Sequence, residues 1–227
     1  MKAIVQKRFG PPDVLQFADT DQPEIGPDDV LVRVHAAAVN PYDWHILRGD
    51  PYVARLMGVV GLTKPKPPVV GVDGAGVVEA VGANVRGLRP GAEVLGRFEG
   101  SFAEYARADA DLVVRKPARL TFEQAAVTMA GQTALRAIRD VGEVRAGHRV
   151  LINGAAGGVG SFAVQIAVAL GAEVTGGAAP AMSTSCIPSP PRTSSTTSRP
   201  TSPTGACSTT SSTTTWATIR CAGCAER

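Results

Sequence analysis

Residues 150–175 read V-L-I-N-G-A-A-G-G-V-G-S-F-A-V-Q-I-A-V-A-L-G-A-E-V-T, from Val150 to Thr175. Val150 to Ile152 is an apolar run of the length that suits a buried parallel strand. A glycine-rich turn, Gly154 to Gly160, follows it. Phe162, Val164, Ile166, Ala167, Ala169 and Leu170 then recur at helical spacing. Gly171 stands where a helix is closed by a left-handed glycine, and Glu173-Val174-Thr175 starts a second strand. Strand, glycine turn, helix and strand in this order predict the opening unit of a dinucleotide-binding fold.

Within the turn, Ala155-Ala156-Gly157-Gly158-Val159-Gly160 is a variant of G-x-G-x-x-G with alanine in the first place. Chemistry explains the residue types. A bare Gly157 lets backbone N–H groups approach a pyrophosphate, Gly160 lets the helix pack closely on its strand, and the helix N-terminus favours an anion. The competing reading is an ordinary turn in an α/β core.

Upstream, residues 1 to about 117 carry many short apolar runs between glycines and prolines. These are Ala3–Val5, Val14–Phe17, Val30–Val39, Val69-Val70, Val77-Val78, Val94-Leu95, Phe102–Tyr105 and Leu112–Val114. Such a pattern predicts a small β-barrel. Asn40-Pro41-Tyr42-Asp43 interrupts it as a helix start: Asn at the N-cap, Pro at the first helical position and Asp at the third, with Gly49 near the end. Capping alone would explain those residues. From Thr121 the period changes. Thr121-Phe122-Glu123-Gln124 is a capping box, and Ala125 to Val141 is apolar at helical spacing, with Gly131 as the place where it would divide in two.

Composition bounds the function. The chain of 227 residues suits one large or two modest domains, and 44% of it is hydrophobic. Its net charge of +3 comes entirely from the region after Gly176, where Arg192, Arg199, Arg220 and Arg227 outnumber Glu226. No nucleic-acid partner is implied. M-K-A-I-V-Q-K-R lacks a signal-peptide core and no run approaches membrane-spanning length, so the expectation is a cytoplasmic protein without a membrane partner. His35, His45 and His148 have no neighbours at metal-ligand spacing, and Cys221-x-x-Cys224 stands without a second pair. No metal site is expected.

Residues 177–227 hold 22 Ser or Thr and six Pro. A segment with so little apolar periodicity predicts a disordered tail.

Residues 1–176 resemble the medium-chain dehydrogenase/reductase superfamily, zinc-independent quinone-oxidoreductase branch. The resemblance is carried by M-K-A-I-V, V-R-V-H-A-A-A-V-N-P-Y-D, G-V-D-G-A-G-V-V-E-A-V-G, A-G-Q-T-A-L and V-L-I-N-G-A-A-G-G-V-G, in the family's order. It implies an α/β plus β protein: a GroES-like barrel over 1–120, connecting helices and an incomplete Rossmann domain over 121–176, then the tail, 177–227. It implies hydride transfer from NADPH, with NADH as the alternative, to a quinone, enone or related small-molecule carbonyl substrate. By resemblance Asn40 and Thr133 lie by the nicotinamide, and Ala155, Ala156, Gly157, Gly158, Val159 and Gly160 hold the pyrophosphate. Tyr42, Asp43 and Trp44, with Asn40, make up the catalytic set around the substrate. Where zinc-dependent relatives carry a cysteine ligand this chain has Asn40, and in place of Gly-His-Glu it has Gly71-Val72-Asp73, so no zinc is implied. Homodimers of full-length relatives rest on Rossmann strands that this chain lacks.

The resemblance breaks after Gly176. Similar proteins continue with C-S-T-R-N-V-D-L-V, whose serine and arginine would bind a 2′-phosphate, and later with V-V-D-Y and V-G-N-H-S-L. Read one base earlier, the codons of Ala178–Cys186 permit the first at all nine positions. Ser194–Thr197 permits the second and Trp216–Cys221 the third. The tail is therefore expected to be a shifted-frame translation of the rest of a reductase gene. The alternative function is then a catalytically inactive, truncated remnant that acts at most as a binding module.

Overall fold

The structure is a computed structural model that describes residues 1–50, 53, 55, 57, 61–66 and 68–177, together with the backbone of 219–222. Expectations for the rest of 178–227, disorder of the tail included, lie outside the described residues. The chain divides into two compact units, Met1–Thr133 and Ala134–Arg227. Residues 121–133 thus belong with the barrel, thirteen residues beyond the expected boundary at 120.

In the first unit, strands β3 (Asp29–Ala38), β4 (Asp73–Val81), β5 (Glu93–Arg97), β6 (Tyr105–Asp109) and β7 (Val113–Arg115) form an antiparallel sheet in the order β6-β3-β4-β5-β7. β1 (Lys2–Gln6) and β2 (Leu15–Asp19) form a separate antiparallel pair, linked to the rest of the unit by the bridges Ala3–Ala103 and Val5–Val69. Alternation decides what is buried: Val30, Val32, Val78, Val94, Phe98 and Val113 point inward and form the core. Two expected strands differ. Val69-Val70 makes one bridge and no strand, because Pro65 and Pro68 before it remove ladder donors. In the run at Phe102–Tyr105, Ala103 makes only the bridge to Ala3 and the strand begins at Tyr105, so β6 lies further along the chain than its apolar residues suggested.

Helix α1 (Pro41–Arg48) starts and stops where its caps predict: Asp43 Oδ2 accepts the N–H of Asn40 at 2.7 Å, and Gly49 closes the helix with φ +65°. Thr121 Oγ1 accepts the N–H of Gln124 at 3.2 Å and Gln124 Oε1 accepts that of Thr121 at 3.0 Å, which starts α2 (Phe122–Ala125). Division of the following segment comes at Ala126-Val127, where α3 (Thr128–Leu135) begins; Gly131 lies inside that helix. The reason is tertiary. The carboxylate of Asp73, on β4, accepts the N–H groups of Thr128 at 3.1 Å and Met129 at 2.9 Å and so starts the helix there.

The second unit holds β8 (Arg149–Asn153), α4 (Gly158–Ala169) and β9 (Glu173–Gly177), as the opening stretch predicts. β8 and β9 are parallel, with Val150 opposite Val174. A wide helical turn, Arg136–Val141, precedes them. Ala134, Ile138, Val150, Ile152, Ala163 and Ala167 are buried together. Gly171, at φ +82°, ends α4 as expected, with the N–H of Ala172 donating to Ala167 O at 3.1 Å. β10 (Ile219–Ala222), from within the expected disordered tail, pairs antiparallel with β8 and gives the order β10-β8-β9. An open strand edge offers unpaired N–H and C=O groups to any extended segment, so strand pairing there does not require an apolar pattern. Among the described residues no helix is long and apolar enough to cross a membrane.

Candidate functional site: a bare helix start and a buried carboxylate cluster

The glycine-rich turn joins the C-terminal end of β8 to the N-terminus of α4. Its tight bend is made at Gly154, where φ is +75°, one place before the alanine that was aligned with the first motif glycine. Sequence reasoning opened the turn at Gly154 but gave that residue no site role, although N-G after an apolar run is itself a turn signal. The N–H groups of Gly154 and Ala155 donate to Gly177 O at 2.8 and 3.0 Å, fastening the turn to β9. Gly157 is the N-cap in extended conformation and supplies no side-chain cap. The N–H groups of Gly158, Val159 and Gly160, in the first turn, are therefore left to whatever binds there.

The three glycines differ in what a side chain would meet. A Cβ at Gly160 would run into the carbonyl of Gly154, lying 2.8 Å from its carbon, so this glycine is what lets helix and turn pack. At Gly157 a Cβ would be 3.2 Å from Gly154 O, a tight fit. At Gly158 it would meet nothing within 4 Å among the described residues, so the space beside the first residue of the helix is open. An uncapped helix N-terminus with open space beside Gly158 suits the diphosphate of a dinucleotide in charge. Ala155, Ala156 and Val159 complete the turn, and Ala155 and Val159 also pack on the core beneath it.

In the first unit, three of the expected residues form one hydrogen-bonded group around a fourth that was not singled out for a site role. Asp73 is 1% exposed. Besides the two α3 N–H groups, it accepts a hydrogen bond from the Asn40 side chain. The Asn40 amide also donates to Ala38 O at 3.3 Å. Capping therefore explains Asp43, whose carboxylate binds the Asn40 N–H, but it does not account for the Asn40 amide. Asp43 is itself buried, and among the described residues its Oδ1 has no hydrogen-bond partner. Burial pushes both carboxyls above the ordinary aspartate range. N–H donors pull each back in part, and the charge of Asp43 adds to the upward push on Asp73. Thr133, one turn along α3, donates its hydroxyl to Met129 O at 2.7 Å.

Two cavities adjoin this group. The larger, about 750 Å³, is lined by Tyr42, Asp43 and Ile46 with Val70, Phe98 and Leu112 among others. The smaller, about 320 Å³, is lined by Asp73, Met129, Gln132 and Thr133. Arg97 borders both, its guanidinium 5.7 Å from the centre of the Tyr42 ring. Trp44 departs from expectation. It lines neither cavity and instead packs against Arg48, 4.6 Å away, and edge-on to His45, because it lies two residues further around α1 than Tyr42. Sequence reasoning missed the site roles of Asp73 and Arg97. An acidic residue directly before the apolar run Gly74–Val78 was the available signal for Asp73. Among the described residues no cluster of three or more His, Cys, Asp or Glu could hold a metal ion.

Residues 26–118 match the alcohol dehydrogenase GroES-like domain. The chain is 40% identical over 180 residues to a quinone oxidoreductase of Sus scrofa, covering 78% of this chain and 52% of that one. It is 37% identical over 179 residues to the 2-methylene-furan-3-one reductase of Solanum lycopersicum, covering 74% and 44%. Among solved structures, Escherichia coli quinone oxidoreductase complexed with NADPH superposes with a TM-score of 0.68 at 29% identity, over 78% of this chain and 52% of that one. The chain thus spans about half the length of the relatives it matches. Its architecture is a GroES-like barrel followed by the opening unit of a Rossmann domain. Over the stretch these matches cover, the chain belongs to the medium-chain dehydrogenase/reductase superfamily, in its quinone-oxidoreductase-like branch.

Proposed function

We propose that this chain carries the cofactor-binding start and substrate domain of an NADPH-dependent, zinc-independent reductase of quinones, enones or related carbonyl compounds. One observation carries the reading: the uncapped N-terminus of α4 with open space beside Gly158. NADPH, rather than NADH, is favoured by the complex named for the Escherichia coli relative. A cytoplasmic setting and a small-molecule substrate complete the proposal.

When bound, the cofactor supplies a hydride, and the chain's residues hold and orient the reactants. The N–H groups of Gly158, Val159 and Gly160 receive the diphosphate. By the family resemblance, Asn40 and Thr133 would orient the nicotinamide end. Tyr42 and Ile46, with Phe98 and Leu112, offer an apolar wall to a planar acceptor in the larger cavity. Asp43 lines that cavity, but its Oδ1 is buried and is not offered to a substrate, so the proton that completes the reduction would come from water or from the cofactor ribose. Zinc independence is supported by the donor set: an amide at Asn40, an alkyl chain at Val72, and at Asp73 a carboxylate already engaged by three N–H donors.

A second reading, a catalytically inactive remnant with a shifted-frame tail, is favoured by the 22 Ser or Thr among residues 177–227. Thermal unfolding with and without NADPH separates the two. A binder at about one hundred times its Kd gains roughly 2.7 kcal/mol of stability. That gain, with steady oxidation of NADPH by a simple benzoquinone, is the expected result. No shift and no oxidation would leave the remnant reading, and resequencing the coding DNA would then locate the change of frame.

A further inference from the structure

Asp73 joins two parts of the chain that are far apart in sequence. Its Oδ1 accepts the N–H of Thr128 and its Oδ2 that of Met129, while the Asn40 side chain donates to the same carboxylate. Met129 passes the connection along α3, because its carbonyl accepts the Thr133 hydroxyl at 2.7 Å. Asn40 and Thr133 are the two residues assigned to the nicotinamide end. Each is held, directly or through the one residue Met129, by a single carboxylate that is 1% exposed. Charge-assisted bonds of this kind are short, directional and costly to break when buried.

We infer that Asp73 is a positioning residue that sets Asn40 and the Thr133-bearing helix α3 in mutual register and thereby shapes the seat of the nicotinamide ring. This rests on the reductase reading given above. Asp73 does not itself reach the ring. It acts through Asn40 and the start of α3, and it presents an ionic acceptor to all three donors where a neutral side chain could satisfy them only in part.

The test is the affinity of the full chain and its variants for two ligands, NADPH and 2′-phospho-ADP-ribose, the latter being the cofactor without its nicotinamide. Asp73→Asn keeps the volume but turns one acceptor oxygen into a donor. It should weaken NADPH binding about tenfold, the scale of one charge-assisted hydrogen bond, and leave the fragment's affinity unchanged. Thr128→Pro removes one of the N–H groups bound to Asp73 at a helix position that tolerates proline, so it reports even if Asp73→Asn does not fold. It should lower NADPH affinity about threefold, again sparing the fragment. Equal losses for both ligands, or no loss for either, in the variants that fold would overturn the assignment, since a purely structural aspartate has no reason to distinguish them. Failure of the unsubstituted chain to bind either ligand would overturn the reductase reading and this inference with it. Parallel losses in a chain that binds both would overturn only the inference.

Discussion

Gly158 and Gly160 lie two residues apart and have opposite tolerances. A methyl group at Gly160 meets the backbone of Gly154, which cannot move without unseating β8 or α4. Gly160→Ala should therefore cost about 3 kcal/mol of stability, at the upper end for overpacking. Gly158→Ala meets nothing within 4 Å among the described residues, so its melting temperature should be unchanged or higher, while its methyl intrudes on the space assigned to the diphosphate. Urea unfolding and NADPH titration of the two variants should give a stability loss in the first and a binding loss without a stability loss in the second. Asp43 makes a prediction about pH. Burial raises its carboxyl above the ordinary aspartate range, only partly offset by N–H donors. A carboxyl that holds its proton more tightly when folded stabilises the fold fully below the unfolded aspartate value, about pH 4. That contribution is lost as pH rises through the raised folded value. Asp43→Asn keeps an acceptor for the Asn40 N–H but cannot ionise. The stability of the unsubstituted chain relative to Asp43→Asn should accordingly fall as pH climbs from about 4 towards neutrality, measured by unfolding at a series of pH values. A gap that widens over that range would contradict the burial of this group.

Helices here begin where carboxylates, hydroxyls or bare glycines put them. α2 has its own capping box, and Thr121→Ala should cost about 1 kcal/mol, read from urea midpoints. α3 has no such local cap and takes its start from Asp73, 55 residues earlier in the chain. α4 has no side-chain cap, which is the condition for an anion site. The packed face of the second unit is thin, with alanines at 134, 163 and 167 against Val150 and Ile152. Ile152 is fully buried, and truncating it leaves a void that small neighbours cannot fill. Ile152→Ala should cost about 3–5 kcal/mol in unfolding of that unit.

For the molecule as a whole, charge and topology separate the matched stretch from the tail. Charges balance in residues 1–176, and the surplus of three lies beyond Gly176. β8 has β9 on one side and β10 on the other. A chain ending at Gly177 would leave that second edge of β8 open. Its β8 amides should exchange with solvent faster than those of the full chain, and it should associate more readily at high concentration. Unchanged exchange at Val150 and Leu151 would mean that the β10 pairing does not persist in solution.

Period and punctuation in the sequence by themselves determined β8, the turn, α4 and its glycine stop, β9, the α1 caps and most barrel strands. Each of these is set by residues within one turn or one strand of one another, where propensity and alternation act. The quoted stretches likewise led to the family that the comparisons bear out. Only the tertiary structure decided what depends on distant parts of the chain meeting. It started α3 at Thr128 through a carboxylate on β4, turned Trp44 away from the cavity that Tyr42 lines, and paired β10 with β8. It also drew Asn40, Asp43 and Asp73 into one buried group. No local pattern encodes these, because a buried polar side chain takes its partners from whatever the folded barrel domain brings within hydrogen-bond reach, and that is fixed by the path of the backbone between them.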